Sequence, residues 1–303
     1  MKNREVFVAY LGLIFMAAII GLSFIFVKIG LQYGSAVDLL AHRFSIAFAT
    51  VLILLLTRVI KIPQINRQKL KQLAMLAMFY PVFFFLFQTY GMQYSTVTEG
   101  GIIFAMSPIV TLLAAQIFLK EQTTLLQKFG ILLSVVGILY IVLNKNGLSG
   151  DINSIEGIVL LFLSIFSFAG YIVVGKRSGV EFTPIEITVW ITLIACVVFN
   201  LWSLVNHLKD NSLQDFFLPL IEPYFLYSVL YLGILSTVVT SFFTNYALPL
   251  VPASQIAVLG NLSPIFAILS GIVLLDEYLF MYQIVGGVLV IVGIGITLWF
   301  RKN

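Results

Sequence analysis

The sequence predicts an all-α integral membrane protein: ten transmembrane helices arranged as two inverted five-helix repeats. Three observations predict it. The chain is 60% hydrophobic and only 10% charged, with a mean hydropathy of +1.07. A soluble domain carries about 25% charged residues, so this chain cannot cover itself with a solvated surface. Ten apolar stretches, each near the length needed to cross a bilayer, follow one another along it. Finally, the stretch from Tyr90 to Leu143 recurs from Tyr246 to Trp299 at a constant offset of 156 positions. Under that offset Tyr90 falls on Tyr246, Ser107-Pro108-Ile109 on Ser263-Pro264-Ile265 and Glu121 on Glu277. Gln127 falls on Gln283, Gly130 on Gly286, and Val136-Gly137-Ile138 on Val292-Gly293-Ile294. Matches at proline, glycine and glutamate weigh most, because two unrelated apolar segments share leucines by composition alone.

The predicted spans are 6–28, 38–57, 71–91, 97–118 and 125–143 in a first repeat over residues 1–145. Those of a second repeat over 154–303 are 156–175, 184–206, 223–246, 253–275 and 281–300. The first begins after Lys2 and Arg4, as a signal peptide would. Its apolar run from Val6 to Val27 is too long for a secretory h-region of about 7–15 residues, and more spans follow. The fourth and ninth each carry a proline near their middle, and a turn bearing Glu121 or Glu277 leads into the fifth and tenth. The connections are short except 207–222, whose Phe216, Phe217 and Leu218 suit a position along the membrane surface. Orientation follows from the basic residues. With the N-terminus inside, thirteen face the cytoplasm: Lys2, Arg4, Arg58, Lys61, Arg67, Lys69, Lys71, Lys120, Lys128, Lys176, Arg177, Arg301 and Lys302. Three lie outside: Lys28, Lys145 and Lys209. The expectation is a multi-pass protein of the cell membrane with both termini cytoplasmic. Five spans per repeat is an odd number, so the second repeat enters from the opposite side, and Glu121 and Glu277 end on opposite faces.

Several function classes lose support, an intramembrane enzyme and a receptor or scaffold staying as the alternatives to a transporter. The net charge of +4 and pI near 9.1 would suggest a nucleic-acid partner only if the charges clustered on a soluble face, and they do not. Cys196 is the single cysteine, which excludes an internal disulfide. His42 and His207 have no partner at metal-ligand spacing, so neither a metal nor a cofactor is expected. No HExxH, GxSxG or phosphate-cradling GKT/GKS motif is present, which argues against an enzyme and against a pump that burns nucleotide by itself. A receptor or scaffold would leave the antiparallel pair of broken helices unexplained.

These features resemble the ten-helix EamA group of the drug/metabolite transporter superfamily. The resemblance rests on the tandem five-helix halves, the mid-helix prolines, the following glutamates and the glycines of the fifth and tenth helices. Gly21 to Lys28 in the first helix and Ala41-His42-Arg43-Phe44 in the second contribute too. It covers nearly the whole chain and is most specific from Pro252 to Gly295, although Ile20 stands where the family often has tryptophan. It implies a secondary transporter for a small metabolite, an amino acid or similar, often an exporter. It also implies a cavity between the halves lined by helices one, three, four, six, eight and nine.

Candidate site residues are read on that basis. Pro108 and Pro264 remove a helical N–H and push away the carbonyls of Phe104 and Gly260, which near mid-membrane is tolerated against protein or a watery cavity. Ser107, Asn261 and Ser263 flank the prolines and offer hydrogen bonds to a polar solute. Ser23, Gln88 and Asn245 are further uncharged polar groups within spans. Glu99, near the outer start of the fourth helix, reads either as a helix-terminus carboxylate or as a protonatable group at the cavity mouth; Gln255 is its twin. Proton exchange through Glu99 and facilitated diffusion both remain open. Phe24, Phe84, Phe104 and Tyr171 are the candidate apolar lining. Lys28 and Arg43 read as snorkelling anchors, with Asp38 as a salt-bridge partner. Gly130, Gly137, Gly286 and Gly293 read as packing within each half rather than as a dimer interface; monomer and homodimer both stay open. The lipid bilayer and a small-molecule substrate are the expected partners.

Overall fold

The computed structural model describes residues 2–60, 67–120, 124–146, 152–178, 182–247, 250–251, 259–260 and 262–299, and every regular element among them is helical. Numbering the bundle in chain order, seven helices are long and apolar enough to cross a membrane. They are α1 (Arg4–Gly30), α2 (Ala36–Leu56), α3 (Lys69–Gln93), α4 (Val97–Leu119), α6 (Ile155–Gly175), α7 (Ile185–Lys209) and α8 (Pro223–Thr244). Three shorter apolar helices accompany them: α5 (Leu125–Ile141), α9 (Ser263–Leu274) and α10 (Met281–Thr297). Each predicted span coincides with one of these. The ninth is seen mainly in its C-terminal part, because 252–258 and 261 lie outside the described residues. Phe15, Ile53, Ile117, Leu132 and Val273 are all more than half exposed on the bundle's flank, a belt that hydrocarbon solvates and water does not.

Helix starts are built from short polar side chains that satisfy the first free N–H groups. Thr96 with Glu99 and Thr183 with Glu186 form reciprocal capping boxes. The twin glutamines do one job twice: Gln127 Oε1 accepts from the Thr124 N–H at 2.8 Å, and Gln283 Oε1 from the Phe280 N–H at 2.9 Å.

The prolines also act alike. In α4 the helix gives way over Ala105 and Met106 and restarts at Ser107. The Met106 N–H turns back to the Ile103 carbonyl, while the N–H groups of Ile109 and Val110 both find Met106 O, each at 3.0 Å. In α9 the equivalent bonds run from Leu262 to Leu259 and from Ile265 and Phe266 to Leu262. Every donor and acceptor is displaced by the same 156 positions. The missing proline N–H is thus absorbed by a tightened turn at both breaks.

The glycines meet across the repeats, which corrects the expectation of packing within each half. A Cβ on Gly130 would lie 2.5 Å from the Gly293 carbonyl oxygen, and one on Gly137 would lie 2.7 Å from that of Gly286. The paired numbers rise on one helix as they fall on the other, so α5 and α10, which are twins in sequence, run antiparallel. Near the middle of this seam the Ser134 hydroxyl donates to the carbonyl of Val290, its own counterpart, at 3.2 Å. A pseudo-two-fold axis passes there, as an inverted repeat requires.

Two helical interruptions were not expected. α3 contains a wide turn over Met78–Phe83, with Tyr80 extended at φ −141° and ψ 117°, and α8 contains another over Tyr231–Val239. The offset of 156 carries Tyr80 onto Ser236 and Pro81 onto Thr237, so these breaks are also symmetry mates. In the long connection after α7, Leu213–Phe216 and Leu218–Ile221 form two tight turns with Phe217, Leu218 and Ile221 exposed.

Candidate functional site

The four predicted lining aromatics join one network of rings. Phe24 of α1 meets Phe104 of α4 edge to face at 4.9 Å, and Phe104 meets Phe84 of α3 at 5.7 Å. Phe84 touches Phe168 of α6 at 5.9 Å, and Phe168 stacks on Tyr171 at 6.2 Å. Tyr80 closes the circuit, lying 5.0 Å from Phe84 and 5.5 Å from Tyr171. Rings from both repeats therefore pack in the edge and offset geometries their quadrupoles favour. Tyr80, Phe85 and Phe168 were not singled out from the sequence. The available signal was Pro81, which marks the break that turns Tyr80 inward.

Arg43 does not snorkel. It is 1% exposed, about 10 Å along α2 from the helix start at 1.5 Å per residue. Its guanidinium lies over the Phe85 ring, 4.0 Å from the centroid, and 5.6 Å from that of Phe44. Nη2 reaches Ser236 Oγ at 3.4 Å and Thr237 Oγ1 at 3.5 Å in the wide turn of α8, while Nε has no hydrogen-bond partner. Gly233 lets α8 come this near: a Cβ there would stand 2.8 Å from the Arg43 carbonyl oxygen. Asp38 is not the partner of Arg43 or Lys28. Its Oδ1 accepts from the Ser203 hydroxyl and lies 3.1 Å from His207 Nε2, and Oδ2 accepts from Ser35 at 2.7 Å.

Lys28, the other expected anchor, holds the end of α3. Its Nζ donates to the Met92 carbonyl at 2.9 Å and to Ser95 O at 2.7 Å, a cation at a helix C-terminus. Glu277 does the complementary work at the start of α4. Its Oε1 accepts from the Val97 N–H at 2.7 Å and Oε2 from the Thr98 N–H at 2.8 Å. A glutamate of the second repeat thus caps a helix of the first. Its twin Glu121 lies outside the described residues.

The remaining predicted polar groups are dispersed. Ser23 is buried and donates to Ile20 O at 2.6 Å. Gln88 is 4% exposed, and its Oε1 is without a hydrogen-bond partner. Glu99 is 5% exposed, accepts from the Thr96 N–H at 3.0 Å and borders a cavity of about 10 Å³ walled by isoleucines, a geometry that serves the helix terminus. Ser107 is half-buried at the restart of α4, with Pro108 beside it. Ser263 and the buried Pro264 pack against other helices. A Cβ on Gly21 would lie 2.5 Å from the Ser263 carbonyl oxygen, and one on Gly101 3.0 Å from that of Pro264. Gln255, Asn261 and the side chain of Asn245 lie outside the described residues.

Comparison with known proteins agrees with this geometry. The chain is 38% identical over 286 residues to "Uncharacterized transporter YcxC" of Bacillus subtilis (strain 168), covering 94% of this chain and 91% of that one. "Uncharacterized transporter YyaM" of the same organism is 25% identical, covering 97% and 93%. "WAT1-related protein At4g01450" of Arabidopsis thaliana is 25% identical, covering 72% and 64%. One crystal structure at 13% identity superposes over 100% of both chains with a TM-score of 0.59, a likeness of fold alone. The EamA-like transporter family matches residues 7–143 and again 155–299, and the chain, a multi-pass membrane protein, belongs to that family.

Proposed function

We propose that this transporter is a secondary carrier that moves a small amphipathic metabolite, an amino acid or a solute like it, across the cell membrane by alternating access. The resemblance implies export as the direction, and the distribution of basic residues supports both termini being cytoplasmic. The two repeats, 1–145 and 154–303, would rock about the α5–α10 seam. One observation carries the reading: the interrupted helices come in symmetry-related pairs, α3 with α8 and α4 with α9, and the ring network joins both repeats beside them. Backbone irregular at membrane depth is tolerated where it is buried in protein or lines a solute path, and a pseudo-two-fold lets one site face either side by near-equivalent movements. The polar contacts of Glu277 and Lys28 with the ends of α4 and α3 would then be made when the outer face is shut. The test is counterflow in proteoliposomes without ATP, screening labelled amino acids and nucleobases. Accumulation against preloaded unlabelled solute is expected. Chemical conversion of the solute, or no flux of any compound from active protein, would defeat the carrier reading.

A further inference from the structure

Arg43 is a charge without a counter-charge. Among the described residues the ion pairs join Lys69 to Glu186 and Asp38 to His207; none involves Arg43. The guanidinium has five N–H donors, yet the hydrogen bonds it makes are those of Nη2 at 3.4 and 3.5 Å, near the limit of what counts as one. A buried ionised group ordinarily survives only when paired and hydrogen-bonded, and inside a membrane such a group marks a functional site by default. The ring of Phe85 beneath it offers one face of stabilisation and no hydrogen-bond acceptor. Its place in the fold is equally specific. It bonds to the wide turn of α8 at Ser236 and Thr237, and the Phe85 ring it covers lies 5.4 Å from Tyr80, which occupies the twin position in the wide turn of α3. Wide turns of this type are frequent at functional sites. A buried cation therefore lies beside both symmetric interruptions.

We propose that Arg43 is the anion-binding residue of the carrier, gripping the carboxylate of an organic monoanion whose apolar body packs among Tyr80, Phe84, Phe85 and Phe168. The Nε–H and Nη2 groups form the side edge of the guanidinium, the fork that meets a carboxylate with two parallel bonds. Nε is unpartnered, and Nη2 holds two long contacts to hydroxyls that a carboxylate oxygen would displace. The rings around it accept a planar or branched apolar group but give a second charge nothing to pair with, which selects monoanions over dianions. This deepens the carrier reading and rests on it for the solute being cargo; the binding chemistry stands on the geometry alone.

The experiment measures binding to the full-length protein in lipid nanodiscs at neutral pH, by titration calorimetry, with 3-phenylpropanoate and its neutral isostere 3-phenylpropanamide. The wild type is expected to prefer the acid at least tenfold. Arg43→Gln should abolish that preference, and Arg43→Lys, which keeps the charge and loses the fork, should retain a reduced one. Thr237→Val removes a hydroxyl that competes for Nη2 and should raise the preference for the acid, keeping the test decisive if the arginine variants fold poorly. Equal affinity for acid and amide, no saturable binding of the acid at millimolar concentration, or a preference that survives Arg43→Gln or fails to rise in Thr237→Val would overturn the proposal. Counterflow of another solute without acid binding would remove this site and leave the carrier. Acid binding without flux of any solute would do the reverse.

Discussion

Glu277→Gln isolates a contact between the second repeat and the first that, on the carrier reading, would be made when the outer face is shut. In the structure both carboxylate oxygens accept backbone N–H groups, at 2.7 Å from Val97 and 2.8 Å from Thr98. A hydrogen bond to an ionised group is worth about 1.5–3 kcal/mol and a neutral one about 1 kcal/mol. Glutamine keeps one oxygen and turns the other into an NH₂ that faces an N–H. The variant therefore forfeits about 2–5 kcal/mol of closure, about 30-fold or more in the closed-to-open ratio. Thr98 is 1% exposed, so a cysteine there reports that opening. In a Cys196→Ser, Thr98→Cys background purified in detergent, where both faces are reachable, maleimide labelling should accelerate by about 30-fold or more when Glu277→Gln is added. A rate within twofold of the parent would refute the assignment. So would a fall in melting temperature with unchanged labelling, because it would make Glu277 a fold-wide support rather than a latch on one state.

Further expectations concern the architecture. Gly293→Val should cost more than the about 1–3 kcal/mol usual for overpacking, since a Cβ there sits 2.5 Å from the Gly130 carbonyl oxygen. Gly295→Ala, with nothing within 4 Å, should be neutral or stabilise by up to about 1 kcal/mol; thermal unfolding in detergent separates the two. Gln127→Ala and Gln283→Ala should each lower stability by about 0.5–2 kcal/mol, as loss of a cap does, and by similar amounts if the twins are equivalent. Single cysteines at Lys128 and Asp276, both exposed, should react with an impermeant maleimide from opposite sides of intact cells and inverted vesicles. Labelling from one side would dissolve the inverted arrangement.

Which features could be read from the chain depended on whether their cause was local. Pro108 and Pro264 predicted breaks because a proline carries its missing N–H wherever it goes, and the following turns reproduce each other bond for bond. The capping roles of Glu99 and Gln127 are written in Thr96-x-x-Glu99 and Thr124-x-x-Gln127. The wide turns of α3 and α8 have no such marker on both sides: Pro81 signals one, whereas Ser236 and Thr237 look like ordinary helix residues until the offset is extended upstream. Arg43 was misplaced for a different reason. Seven residues from a helix start is within snorkelling range on a lipid-facing helix, and it is the packing of α3, α7 and α8 against α2 that encloses the side chain. Partners brought together by the fold, such as Glu277 with Val97 and Thr98, are 180 and 179 positions apart and leave no trace in local pattern.

Where α5 crosses α10, backbone approaches backbone at the paired glycines, and the small hydroxyl of Ser134 bridges the middle of the crossing. Such a joint has few rotamers to rearrange, and on the carrier reading proposed above it would serve as an axle. A rigid tether across it would leave turnover running, whereas the same tether between α4 and the turn before α10 would stop the machine in a single pose.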